Sequence, residues 1–255
     1  MAGAAILCGR SAIKSGAGLV QFLLPSMDSP LLPILQISVP EATCITPASC
    51  HLDSFTSIAC GSGLGQSSKA CRLLTWILDS YKGILILDAD ALNMTASRKE
   101  LAEKVRSSEA RIIMTPHIGE ARRLLHTDAR IAGPDARAQA VCELAEQYHC
   151  IAVLKGAGTL VCDGSAANPL NDHIFHIYQN TTGNPGMATG GSGDSLTGLT
   201  AAFAAQGYAP VDAARAGVYI HGLAGDLAAR ELGEMGMTAA DLVQYLPYAL
   251  KQFLS

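Results

Sequence analysis

The chain has 255 residues, 49% of them hydrophobic, 16% charged and 5% aromatic, with 25 glycines and a formal net charge of −4. High apolar content with low net charge excludes a disordered chain, and the lack of any basic cluster longer than Arg122–Arg123 argues against a nucleic-acid binder. No stretch reaches the roughly 18 continuous apolar residues of a membrane-crossing helix. The eight cysteines contain no C-x-x-C pair and no zinc-type Cys/His spacing. They read as reduced thiols of a cytoplasmic protein. The opening segment lacks a basic region before its apolar run, and Arg10 and Lys14 interrupt that run, so it does not read as a secretory signal.

In chain order, residues 3–16 read as a helix closed by Gly16 and Gly18, and 19–24 as a strand stopped by Pro25. The proline-rich passage 25–47 reads as mostly irregular. A strand at 57–60 runs into Gly61-Ser-Gly-Leu-Gly65, followed by a helix over 67–80 with Leu73, Leu74, Ile77 and Leu78 on one face. Unbroken apolar runs at 83–87, 111–114 and 151–154 predict buried strands, with helices at 119–125 and 135–148. Residues 159–162 and 174–178 read as a strand pair, and 194–206, 212–231 and 239–253 as helices. The alternation predicts one α/β domain, a mostly parallel sheet with helices on both faces.

Ligands of such sheets bind beyond the carboxyl ends of the strands. Polar or glycine-rich residues recur there: Gly61–Gly65, then Asp88 and Asp90, then His117 with Glu120, then Lys155 to Thr159. Each has a bland reading. The first is a tight turn, the aspartates cap a helix, Glu120 completes a capping box with Thr115 or His117, and Lys155 is a solvated charge. Four in series point to a shared cleft.

Residues 173–211 contain one formally charged side chain, Asp194, at the end of Thr189-Gly-Gly-Ser-Gly-Asp194 and directly before a helix. A glycine-rich loop feeding a helix N-terminus suits an anion such as phosphate. It is not a Walker A loop, since no Gly-Lys-[Ser/Thr] follows. An N-cap role would explain Asp194 but not the three preceding glycines. Asp194 beside an anion hole suggests phosphoryl transfer, the carboxylate accepting the proton of an attacking hydroxyl. On this reading the Lys155–Thr159 turn holds other parts of a nucleotide, and Glu120 helps hold Mg²⁺ through water. His221, among Gly217, Gly222 and Gly225, reads by default as a buried, hydrogen-bonded histidine. Asn180–Gly186 reads as a turn-forming loop.

LDADALN at 87–93, MTPHIGEARRLL at 114–125, LKGAGT at 154–159 and TGNPGMATGGSGDSLTG at 182–198 stand in an order that resembles a known family. With GSGLG at 61–65 and HGLAGD at 221–226, they resemble the ADP/ATP-dependent NAD(P)H-hydrate dehydratases, within the ribokinase-like superfamily. The resemblance covers essentially the whole chain. It implies a ribokinase-like three-layer sandwich and a repair lyase. Such an enzyme phosphorylates the ring hydroxyl of hydrated NADH or NADPH, S-epimer, with ADP or less readily ATP, and phosphate then leaves. With ADP the products are NAD(P)H, AMP and phosphate.

Carried over by motif, Asp194 is the catalytic base and touches the hydrate. Ala5, Gly63 and His117 contact the hydrated dinucleotide. Lys155, Gly156, Ala157, Gly158 and Thr159 bind the nucleotide, with Gly191, Ser192 and Gly193 forming the anion hole. The resemblance also implies a homo-oligomer, commonly a tetramer, and a link to an epimerase domain or protein. Family members carry a strand and a glycine-containing loop before the segment that corresponds to residues 1–5. Three other readings remain open: a ribokinase-like kinase releasing a stable phosphorylated product, a silent nucleotide-binding module, and a Rossmann oxidoreductase. The last rests on the Gly61–Gly65 turn and on Asp88, which lies 27 residues past Gly61, beyond the usual spacing of about 20.

Overall fold

The computed structural model describes residues 1–164 and 176–254. Its main sheet has six strands in chain order: β3 (Ser57–Cys60), β4 (Ile84–Leu87), β5 (Arg111–Met114), β6 (Ile151–Leu154), β7 (Leu160–Asp163) and β8 (Ile177–Gln179). The first four run parallel, and β7 and β8 are antiparallel to their neighbours. The expected strand pair is β7 and β8, although Ile174, in the sequence-predicted strand, lies outside the described residues. A separate parallel pair joins β1 (Gln21–Leu23) to β2 (Thr43–Ile45).

The apolar runs work as buried strands because every position of β4 and β6 is covered. Period-2 geometry divides them between two cores. Leu85, Leu87, Met114 and Leu154 join α3 (Ser68–Ser80), α4 (Ala89–Ser97), α5 (Lys99–Ser107), α6 (Ile118–Leu124) and α7 (Pro134–Tyr148). Ile84, Ile86, Ile113 and Val153 face α8 (Ser192–Ala205), α9 (Pro210–Leu232) and α10 (Ala239–Leu254). The result is a three-layer sandwich with helices on both faces. A further helix, α1 (Ala2–Lys14), packs against α8. There Gly198 admits the carbonyl of Cys8, and an added Cβ would come within 2.0 Å of that oxygen.

The passage 25–47 is irregular over about half its length, but not throughout. It holds α2 (Leu31–Ser38) and β2. Pro30 and Pro33 do not prevent the helix, because the first turn has no intrahelical acceptor for the missing N–H. Leu35, only 2% exposed, anchors α2, and β2 exists through its pairing with β1, a tertiary contact without local signal. Two helices over 89–107 also fill a stretch for which the sequence reading gives no range.

Among the described residues, strand β3 is paired on one side only. Residues of α1, β1 and β3 line a groove of about 1210 Å³ beside its other edge. The strand order also removes the Rossmann reading. Numbers rise steadily across the sheet, so there is no reversal at which a dinucleotide crevice opens. Asp88 is 1% exposed and engaged by other side chains, so it does not serve a ribose.

Candidate active site

The carboxyl ends of β4, β5 and β6 bring three of the sequence motifs together. After β6, Lys155 makes an isolated bridge with His117, which follows β5, and its N–H donates to the Pro116 carbonyl. The Lys155 ammonium lies 2.6 Å from Asp88 Oδ1, at the end of β4. Lys155 is therefore not a solvated charge, its side chain being 18% exposed. The other Asp88 oxygen accepts from Thr197 Oγ1 at 2.8 Å, and that hydroxyl lies 3.0 Å from the Gly193 carbonyl. Burial pushes the Asp88 carboxyl up, but the Lys155 charge and hydrogen bond and the Thr197 and Thr115 hydroxyls outweigh it and hold it below the ordinary value.

Gly193 fits against this network. A Cβ there would sit 3.2 Å from Lys155 Nζ and 3.6 Å from Asp88 Oδ2. Gly191 has φ +92°, a left-handed conformation, and a Cβ would meet Leu7 Cδ1 at 2.4 Å. The 191–193 loop thus uses glycine at 191 for backbone conformation, and the glycine at 193 leaves space beside a cation. Helix α8 begins at Ser192 with Gly191 as N-cap, so Asp194 is not the N-cap. It stands inside the first turn, where a carboxylate also meets the positive end of the helix dipole.

Burial raises the Asp194 carboxyl above the usual value. Asp88 and Asp90 act in the same direction, while Ser62 and Lys155 oppose them. Asp194 is consequently a better proton acceptor than an ordinary aspartate, and it lies in the field of Lys155. The thiol of Cys8 is pushed up to about 12 by burial and by the charges of Asp194 and Asp88, and Ser62 acts on it in the opposite sense. Cys8 and Ser62 therefore join Asp194 to the groove, whose lining includes Ala5, Cys8, Ser62 and Gly63.

His117 and Glu120 adopt the capping box. His117 Nδ1 accepts from the Gly119 and Glu120 amides, and Glu120 Oε2 accepts from the His117 amide at 2.9 Å. Glu120 is 4% exposed and lies 4.0 Å from Lys155 Nζ, while the His117 side chain is about half exposed. The Gly156–Thr159 turn is closed by Thr159 Oγ1, which donates to the Gly156 carbonyl at 2.9 Å. Gly156 and Gly158 have φ +153° and +60°.

His221 is the buried structural histidine of the default reading. Its Nε2 lies 2.8 Å from Ser195 Oγ, which donates to the Ser192 carbonyl. Burial depresses the ring to about 4, and a backbone interaction with Ser192 and the Lys155 charge act in opposite directions. His221 thus holds the first turn of α8 from behind. The Asn180–Gly186 loop is tied to α9, with the Gly183 amide and the Asn184 side chain donating to Asp226. Gly217 admits Thr200 from α8 and Gly222 admits Thr182 from the loop.

Among the described residues, no group of three or more His, Cys, Asp or Glu could hold a metal. No helix there is long and apolar enough to cross a membrane. Sequence reasoning missed the Asp88–Lys155–Thr197 network and Ser62. The available signal was position: Asp88 follows a fully buried strand, and Thr197 is one helical turn past Gly193.

A family model described as NAD(P)H-hydrate dehydratase matches residues 1–248. The bifunctional NAD(P)H-hydrate repair enzyme Nnr of Moorella thermoacetica is 36% identical over 265 residues, covering 98% of this chain and 47% of its own length. That of Coxiella burnetii is 38% identical over 251 residues, covering 96% and 47%. The chain thus spans about half the length of these relatives. Among solved structures, the ADP/ATP-dependent NAD(P)H-hydrate dehydratase of Bacillus subtilis, co-crystallised with ATP/Mg²⁺, has a TM-score of 0.80 and 29% identity. The match covers 99% of this chain and 86% of that chain. Adenosine kinase from Sinorhizobium meliloti, with a TM-score of 0.64 and 14% identity, shares the ribokinase-like fold alone. With nearly its whole length matched, the chain belongs to the NAD(P)H-hydrate dehydratase family.

Proposed function

We propose that this chain dehydrates the S-epimer of hydrated NADH or NADPH, with ADP in preference to ATP as phosphoryl donor. The observation that carries this reading is the placement of Asp194. It is a carboxylate raised by burial, in the first turn of α8, one residue past a glycine packed against Lys155. Asp194 takes the proton of the ring hydroxyl as that oxygen bonds to the terminal phosphorus. The phosphorus–oxygen bond to the nucleotide breaks, leaving AMP when ADP is the donor. The amides of Gly191–Gly193 and the Lys155 ammonium stabilise charge on the transferred group. The ring nitrogen's electron pair then expels phosphate, a neighbouring ring proton is lost, and NAD(P)H results. The phosphorylated hydroxyl is a far better leaving group than hydroxide.

The Lys155–Thr159 turn binds the nucleotide, and Ala5, Gly63 and His117 bind the hydrated dinucleotide. The described acidic side chains do not build a cage for a resident ion. They suit Mg²⁺ that arrives on the nucleotide's phosphates, since Mg²⁺ keeps several waters and needs few protein carboxylates. Glu120 would hold it through water, and the ion would offset phosphate charge.

The open edge of β3 supports a second proposal. We infer that an extended strand from outside this sequence lies in the groove between β1 and β3 and completes the wall that carries Ala5 and Gly63. An epimerase unit is the proposed functional partner. The exposed Ile37 on α2 and Tyr248 and Leu254 on α10 suit burial between copies in a tetramer. All eight cysteines are free, which supports a cytoplasmic setting.

Product analysis tests the activity. Hydrated NADH with ADP should give NADH, AMP and phosphate in equal amounts. Accumulation of a stable phosphorylated alcohol would select the kinase reading instead.

A further inference from the structure

The guanidinium of Arg137, on α7, spans the turn after Lys155. Its Nη1 donates to the Ala157 carbonyl at 2.6 Å and its Nη2 to the Gly158 carbonyl at 3.0 Å. Its contacts come from 20 and 21 residues away in sequence, so they are tertiary rather than part of the turn itself. A Cβ on Gly156 would lie 3.4 Å from the same Nη2, so the turn's first glycine also leaves room for the cation. With both carbonyls engaged from behind, the Ala157 and Gly158 amides donate to no other described residue. Two glycines in left-handed conformations give this turn more conformational freedom than an ordinary one. A bidentate guanidinium is the side chain best suited to remove that freedom, because its donors are fixed in one plane.

We propose that Arg137 is a positioning residue for the phosphoryl donor. It holds the 156–159 turn with its amides directed at the nucleotide, without itself taking part in the chemistry. The inference rests on the reading of this turn as the nucleotide site. It predicts a loss confined to one substrate. Arg137→Met should weaken ADP and ATP binding and raise their KM by about tenfold, as expected when charge-assisted hydrogen bonds that order a site are removed. The kcat and the KM for the hydrated dinucleotide should stay within about twofold. Arg137→Lys should fall between, since one ammonium does not reproduce the two-carbonyl fork.

The test combines calorimetric titration of ADP and of ATP with hydrogen exchange at the Gly156 amide, which donates to Thr159 Oγ1 within the turn, for the wild type and both variants. Faster exchange in Arg137→Met with weaker nucleotide binding supports the proposal. Unchanged exchange, unchanged nucleotide affinity, or an equal rise in both KM values overturns it. A wild-type protein that binds neither nucleotide overturns the dehydratase reading itself, and is distinguished because the failure precedes any substitution.

Discussion

The Lys155 ammonium meets the Asp88 carboxylate at 2.6 Å, across the ends of β6 and β4 with β5 between them. Asp88 is buried and Lys155 nearly so. Removing one partner of such a pair strands the other charge. Asp88→Ala should therefore destabilise the fold by about 3–5 kcal/mol in urea unfolding. In the wild type, the Asp88 contribution is complete above the ordinary carboxylate value of 3.8. It is lost as pH falls through the lower folded value. The difference between wild type and variant should accordingly shrink in acid.

Gly193 offers a separation of stability from activity. It lies in the first turn of α8 and has no positive φ, so alanine suits the backbone. Its Cβ would stand 3.2 Å from Lys155 Nζ, in the space assigned to the transferred phosphoryl group. Gly193→Ala should change unfolding free energy by no more than about 1 kcal/mol. Turnover should fall by about 10²-fold or more, the scale for disturbing one anion-hole donor. Matched urea melts and steady-state kinetics check both halves.

His221 predicts a specific acid response. Its ring titrates near 6.5 when unfolded and about 4 when folded. The folded state therefore resists protonation. Stability associated with His221 is complete above pH 6.5 and is lost as pH falls toward 4. His221→Gln keeps a donor for Ser195 Oγ and removes the titrating group. Urea melts at a series of pH values should show a shallower acid slope for the variant than for the wild type.

The sequence reading succeeded where local pattern and burial agree. The apolar runs that became β4, β5 and β6 sit at their expected places, because strands buried on both faces leave little ambiguity. It failed where structure depends on distant partners. Strand β2 is three residues long and is held by β1, while Pro30 and Pro33 gave a false signal of irregularity. The candidate base Asp194 was legible because it stands alone in a charge-poor, glycine-rich stretch. Asp88 was legible as a residue of the cleft but its pairing was not, because its partners Lys155 and Thr197 lie 67 and 109 residues away.

The role of Asp194 is tested most directly by substituting asparagine and following restoration of reduced nicotinamide absorbance from hydrated NADH with ADP. Burial disfavours the ionised carboxylate in the folded state, so Asp194→Asn should be no less stable than wild type at neutral pH. Its turnover should nevertheless fall by about 10²–10⁴-fold, the usual contribution of a general base. A folded Asp194→Asn protein with turnover within a few-fold of wild type would contradict the assignment.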